Sequence, residues 1–387
     1  MNDTARGRSA PVAEGEPSIL PGALLKRAIE AIRASGGWLP FDRFMALALY
    51  EPGLGYYANA SPKFGHLPGG PEGSGSDFVT APELTPLFGH TLARQVAQAL
   101  QATGTDEVWE FGAGSGVLAR QVMEGLDALS VPLRRYTIVD LSGDLRERQR
   151  ATLRAHEARV TWADRLPEQL SGVLLGNEVL DAMPVQLLVR LAGQWHERGV
   201  VLDAAGGLAW ADRPTELRPP LEVDGSHDYL TEIHPQAEAF VRTLAERWQR
   251  GAAFFIDYGF PETEYYHPQR HMGTLTCHRA HRRDDDPLAD LGLKDITAHV
   301  NFTGIALTAQ EAGLSVLGYT SQGRFLLNAG LLDLASQAGT RENALMQKLV
   351  NEHEMGELFK VLCLAPEACA AGWTPLGFAS GDRTHRL

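Results

Sequence analysis

Cysteine is nearly missing from this chain. Only Cys277, Cys363 and Cys369 occur in 387 residues. The count is odd and no two stand in a C-x-x-C pair, which argues against a disulfide scaffold and against a thiolate zinc site. Such usage points to a reducing compartment. Basic residues are outnumbered, 35 Lys and Arg against 48 Asp and Glu, for a net charge of −13. That surface repels phosphate backbones, so no nucleic-acid partner is expected. No apolar run approaches about 18 residues, so no membrane insertion is expected. The N-terminal stretch MNDTARGRSAPVAEGEPS has no apolar core and carries Asp3, Glu14 and Glu16. It fits neither a signal peptide nor an acid-poor transit peptide. Internal repeats and low-complexity tracts are absent as well.

What remains is an ordinary globular composition, 44% hydrophobic. The length implies two to three domains, or one core with large insertions. Residues 1–20 read as a disordered tail. Apolar spacing of three and four predicts a helix over 22–34, and FDRFMALALY (41–50) predicts another. A Gly-, Pro- and Ser-rich stretch follows over 51–80; loops of that size are functional or disordered. A helix is expected from about Leu87 to Leu100. From 106 the period changes. DEVWEFG, RRYTIVDL, RVTWAD, GVLLGNE and AAFFIDYG are short strand-like runs, and helical segments separate the first three. Strands alternating with helices predict an α/β fold with a parallel sheet. ALTAQEAG and LSVLGYTS add a helix and a strand, and 356–365 reads as a late strand. Hairpin-like pieces interrupt the pattern at 186–234. Further insertions lie at 260–300 and 325–350. The expected division is 21–104 for N-terminal helices and a covering loop, 105–365 for the main domain, and 366–387 for a C-terminal tail.

The sharpest motif is VWEFGAGSG, residues 108–116. A strand delivers Glu110, then Gly112, Ala113, Gly114 and Gly116, then a helix. Glycines let the backbone turn tightly and approach a ligand, while helix-start N–H groups present positive dipole ends. A dinucleotide fingerprint, counted from Gly112, needs glycine where Val117 stands. The G-x-G-x-G spacing with an acid ahead of it resembles motif I of class I S-adenosylmethionine (SAM) methyltransferases, a Rossmann-like fold. YTIVDLS ends the second strand at Asp140, with Leu141 beside it. A carboxylate there can accept hydrogen bonds from both ribose hydroxyls, though it would serve NAD equally. VTWAD ends the third strand. Trp162 to Leu166 is the adenine zone of such enzymes, with Asp164 a candidate contact.

Several stretches then resemble one family: GYYAN (55–59), SDFVTAPELTPLFG (76–89), GNEVLDAMPV (176–185), FFIDYG (254–259), GTLTCHRAH (273–281), KDITAHVNFT (294–303) and TSQGRFLLNAG (320–330). All are similar to the MidA-like methyltransferases, relatives of a mitochondrial complex I assembly factor that methylates arginine. The resemblance runs from about 21 to 365. Ser76 departs from it, standing where the family usually has Gly before Asp77; Asp140 is often Glu in relatives. The resemblance implies SAM as donor and S-adenosylhomocysteine as product, with no metal. It implies a protein acceptor, an arginine of a respiratory complex I (NADH dehydrogenase) subunit, and a bacterial cytoplasmic location. It also implies that the long N-terminal loop carrying TAPE (80–83) folds over the cofactor as a lid. Thr80 and Pro82 are then cofactor contacts, with Tyr57 and Asp77 nearby. The insertions are large enough to allow a homodimer.

Methyl transfer is a direct displacement, so positioning supplies much of the rate. A guanidinium is planar, cationic and never freely deprotonated, and carboxylates can clamp two of its nitrogens. In open α/β sheets ligands bind outside the carboxyl ends of the strands. Glu178, ending strand 172–178, is the expected acceptor-orienting carboxylate, and Asn177 touches either cofactor or acceptor. Asp181 is either a second carboxylate or the cap of a short helix. Tyr258 either walls the acceptor channel or packs. His299 either takes the released proton or is a hydrogen-bonded core residue. Asn301 and Thr303 lie beside it. The stretch 267–283 carries four histidines and four arginines without clear metal-ligand spacing. Two other functions stay open: a SAM-binding assembly or chaperone protein with little turnover, and a small-molecule methyltransferase.

Overall fold

The computed structural model describes residues 19–59, 80–140, 143–279 and 282–387. The expected tail up to residue 18, the segment 60–79 with Ser76 and Asp77, and Leu141 lie outside the described residues. Ile19 and Leu20, expected in the tail, open the first helix, Ile19–Ala34.

The apolar runs become one sheet. Its strands are β1 (Glu107–Phe111), β2 (Arg135–Val139), β3 (Val160–Ala163), β4 (Val173–Asn177), β5 (Ala253–Phe260), β6 (Leu314–Ser321) and β7 (Phe359–Pro366). They lie in the order β6-β7-β5-β4-β1-β2-β3, and Val300–Asn301 pairs with the end of β5. β7 runs antiparallel between β5 and β6, and the contacts among β1 to β5 are parallel. β1 is buried at all five positions and β7 at all eight. A sheet covered on both faces demands such unbroken runs. Phe88, Leu92 and Val96 of helix Pro86–Thr103 cover one face, with Leu118 and Val122 of helix Val117–Ala128. Val241, Leu244 and Ile305 cover the other, against Trp109, Leu174 and Phe255. Each aliphatic side chain so buried contributes ~1.5–3 kcal/mol. Helix Pro86–Thr103 has local start and stop signals. Thr85 accepts the Leu87 N–H at 3.3 Å, Pro86 fits the first turn, and Gly104 closes it at φ +61°.

The expected hairpins of 186–234 form an antiparallel sheet: Leu39–Pro40, Gln194–Leu202, Gln186–Leu191 and Tyr229–Ile233 in that order, with Leu208–Pro214 on Gln194–Leu202. Leu24, Phe44 and Met45 of the N-terminal helices pack with Leu187 and Val200 of that region and with Cys277 and Ile296 of the 260–300 region. Three segments far apart in sequence thus share one apolar cluster. The late strand starts at Phe359, because Met355–Leu358 forms a helical turn. Residues 366–387, expected as a tail, pack on the core. Phe378 is buried 5.4 Å from Phe325, and Asp382 accepts the Tyr319 N–H at 3.0 Å.

Candidate functional site

β1 and β4 are neighbours, with Phe111 opposite Gly176, so the glycine loop and the GNE segment emerge side by side. The loop turns through left-handed backbone at Gly112 (φ +61°), Gly114 (+52°) and Gly116 (+82°), which favours residues without a Cβ. Gly112, Ala113 and Gly114 line a chamber of about 1230 Å³ at the strand ends. Gly116 does not line it. It lets two helices meet: a Cβ there would stand 3.3 Å from Gln149 Cα. Glu110 lines the chamber, accepts the Tyr136 hydroxyl at 2.7 Å, and is pushed up to about 7 by burial.

Asp140 follows β2 and lines the same chamber. Gln149, fully buried on helix Gly143–Thr152, carries no sequence signal. Its Nε2 donates to Asp140 Oδ2 at 2.8 Å and to the Gly114 carbonyl at 3.1 Å, and its Oε1 accepts Trp162 Nε1–H at 2.9 Å. One side chain therefore ties the glycine loop, the second-strand acid and the third strand. Asp164 is exposed and does not line the chamber; its neighbours Arg165 and Leu166 do. The turn after β3 carries Asp164 away from it.

Thr80 and Pro82 line the chamber too. The turn Ala81–Leu84 is moored to the helix after the glycine loop. Gln121 Nε2 donates to the Pro82 carbonyl at 2.8 Å, and the Ser115 hydroxyl donates to Glu83.

Beyond β4 the backbone is unusual. Glu178 has φ +56°, uncommon for a residue with a side chain. Its N–H donates to the Ile256 carbonyl at 2.9 Å. The following turn is held by Asp257, whose Oδ2 accepts N–H groups of Val179 (3.1 Å), Leu180 (2.9 Å) and Asp181 (3.3 Å). No helix begins at Asp181, so it does not cap one. It is buried instead, and the Tyr258 hydroxyl donates to its Oδ2. Asn177, Glu178, Asp181 and Tyr258 all line the chamber. Asn177 Nδ2 donates to Glu178 Oε1 at 3.2 Å. Burial, then the nearby Asp181, pushes Glu178 up to about 8, and burial raises Asp181 as well. Two hydroxyls close this end: Tyr50 donates to the Ala182 carbonyl at 2.8 Å, and Tyr57 donates to Asp295. Asp295, in KDITAHVNFT, carries no local signal that sets it apart from its neighbours.

His299 lines the chamber, stacked on Phe260 at 5.2 Å, and burial pushes it down to about 4. Asn301 and Thr303 are structural: Asn301 caps helix Phe302–Glu311, and Thr303 Oγ1 accepts the Glu262 N–H at 2.8 Å. Among the described residues, no group of three or more His, Cys, Asp and Glu side chains is placed to hold a metal ion, and no helix is long and apolar enough to cross a membrane.

Residues 91–320 match the family model for S-adenosyl-L-methionine-dependent methyltransferases. The chain belongs to this family. A structure from Burkholderia thailandensis, described as bound to S-adenosyl-homocysteine, superposes with a TM-score of 0.90 and is 49% identical, covering 98% of this chain and all of that one. The human mitochondrial protein arginine methyltransferase NDUFAF7 is 26% identical over 89% of this chain and 83% of its own. The Drosophila melanogaster homologue is 28% identical over 90% and 86%. This SAM-dependent methyltransferase has the α/β Rossmann-like fold of its family. Its residues fit the cofactor: a glycine loop with left-handed turns, an acid beside it after the second strand, and a chamber open to both.

Proposed function

We propose that this methyltransferase modifies an arginine of a protein, with a respiratory complex I subunit as the acceptor suggested by the family resemblance. One observation carries the acceptor chemistry. Asp181, buried, and Glu178, half-buried, face the chamber beside the glycine loop. Buried carboxylates call for a cationic partner. The names of the mitochondrial relatives support the same choice.

SAM, when bound, supplies an electrophilic methyl on a sulfonium. Glu178 and Asp181 hold the guanidinium so that one nitrogen faces that carbon. The N–C bond forms as the C–S bond breaks, and sulfur keeps the electron pair. The nitrogen then sheds a proton. His299, held near 4 and stacked on Phe260, is too weak a base to collect it. Glu178, pushed up to about 8, is matched to that task. Asp257 and Tyr258 position the two carboxylates. Gln149 and Asp140 serve the cofactor end, and Thr80 and Pro82 close over it.

The test is mass spectrometry of methylarginine in complex I subunits from wild-type and deletion strains. A methylated arginine lost in the deletion is the expected result. Purified protein that binds SAM but labels no lysate protein would contradict it.

A further inference from the structure

We propose that Asp295, with the Tyr57 hydroxyl on its carboxylate, is a second grip on the acceptor and selects a guanidinium there. The proposal rests on the arginine reading above and adds a specificity residue to it. Neither residue belongs to the main sheet. Asp295 opens the short strand Asp295–Thr297 of the 260–300 region, and Tyr57 follows the N-terminal helices. The Tyr57 hydroxyl lies 2.9 and 2.8 Å from the two Asp295 oxygens. Tyr57 is itself fixed by stacking on Tyr50, 5.6 Å between centroids and 22° between planes. Asp295 is 4% exposed, and both residues line the chamber that holds Glu178 and Asp181.

Two further atoms mark this end of the chamber as built for a ligand. Asp181 Oδ1 and Thr276 Oγ1 have no hydrogen-bond partner among the described residues. Their residues are 5% and 6% exposed and line the chamber. A buried polar atom left unpaired costs ~1–3 kcal/mol, which a ligand rich in donors removes. A guanidinium carries five N–H donors and no acceptor. Charge agrees with hydrogen bonding. The Lys and Arg residues among the described lining are Arg165 and Arg283, both exposed, against the inward-facing Glu178 and Asp181. A neutral acceptor gives those carboxylates no compensating charge. Tyr57, Thr276 and Asp295, from segments outside the main sheet, thus meet Glu178 and Asp181, which follow β4.

The probes are propylguanidinium and its neutral isostere propylurea, titrated by NMR into the full chain saturated with S-adenosylhomocysteine. Wild type is expected to prefer propylguanidinium by at least about tenfold, one charge-assisted contact. Asp295→Asn keeps the shape and an oxygen for Tyr57; it is expected to erase most of that preference while the SAM Kd by calorimetry stays unchanged. Tyr57→Phe leaves the carboxylate in place and is expected to erase part of it. Full preference in a folded Asp295→Asn protein overturns the role of Asp295 and leaves the arginine reading standing. Equal loss of SAM binding and preference in both variants marks a structural role and overturns it too. No preference in wild type sinks the arginine reading and the proposal together.

Discussion

Asp257 gives the sharpest quantitative test, because one carboxylate shapes the turn that presents Glu178 and Asp181. Its Oδ2 accepts three N–H groups between 2.9 and 3.3 Å, and its Oδ1 accepts the Tyr258 N–H at 3.0 Å. Asp257→Ala deprives four donors of their acceptor. An orphaned buried donor costs ~1–3 kcal/mol, but three of these share one oxygen and the chamber admits water to the turn. Removing a carboxylate buried beside Asp181 also offsets part of the loss. The net expectation is ~2–4 kcal/mol, a large share of the ~5–15 kcal/mol that holds a typical fold. Asp257→Asn retains one oxygen for the three turn donors but points an NH₂ at the Tyr258 N–H, so it should cost less, ~1–2 kcal/mol. Urea unfolding gives both values. The strained φ at Glu178 should relax in the alanine variant, so turnover should fall more than SAM affinity does. An alanine variant within about 1 kcal/mol of wild type, with normal turnover, would refute the argument.

Glu178→Gln should bind SAM normally and lose turnover by ~10²-fold, because a neutral amide neither pairs with the guanidinium nor takes its proton; undiminished turnover would end the assignment. Gln149→Leu should weaken SAM binding by roughly tenfold in calorimetry, since Asp140 loses its Nε2 contact and the Gly114 carbonyl its tether. At limiting acceptor, where kcat/KM reports the free enzyme, the rate should rise with pH through about 8 as Glu178 gives up its proton. The stability trend runs the other way. Glu178 keeps in the fold a proton that the unfolded chain releases above about 4.5, so its contribution is whole below that pH and is lost as pH rises through about 8. Glu178→Gln should flatten that slope in pH-dependent thermal unfolding.

The sequence by itself determined the parallel core and the turn of the glycine loop. Both are local in their causes. Five consecutive buried positions make a strand of a two-faced sheet, and a glycine loop writes its backbone need directly into residue type. The helix over 41–50 and the strand over 314–321 fall where the periodicity placed them. Asp181 could not be decided from its neighbours alone. A cap and a buried acid look identical in sequence, and only Asp257, 76 positions away, shows which donors are already taken. Gln149 sits among charged residues on a helix with no pattern of its own; it matters because three elements converge on its amide. Asp164 shows the reverse, a correctly placed strand end whose side chain turns outward. The chamber wall opposite the glycine loop was beyond local signals, because Tyr57, Asp181, Thr276 and Asp295 meet only when the N-terminal helices and two insertions pack into one apolar cluster. Burial makes those carboxylates hungry for a cation, and burial is a property of the tertiary structure.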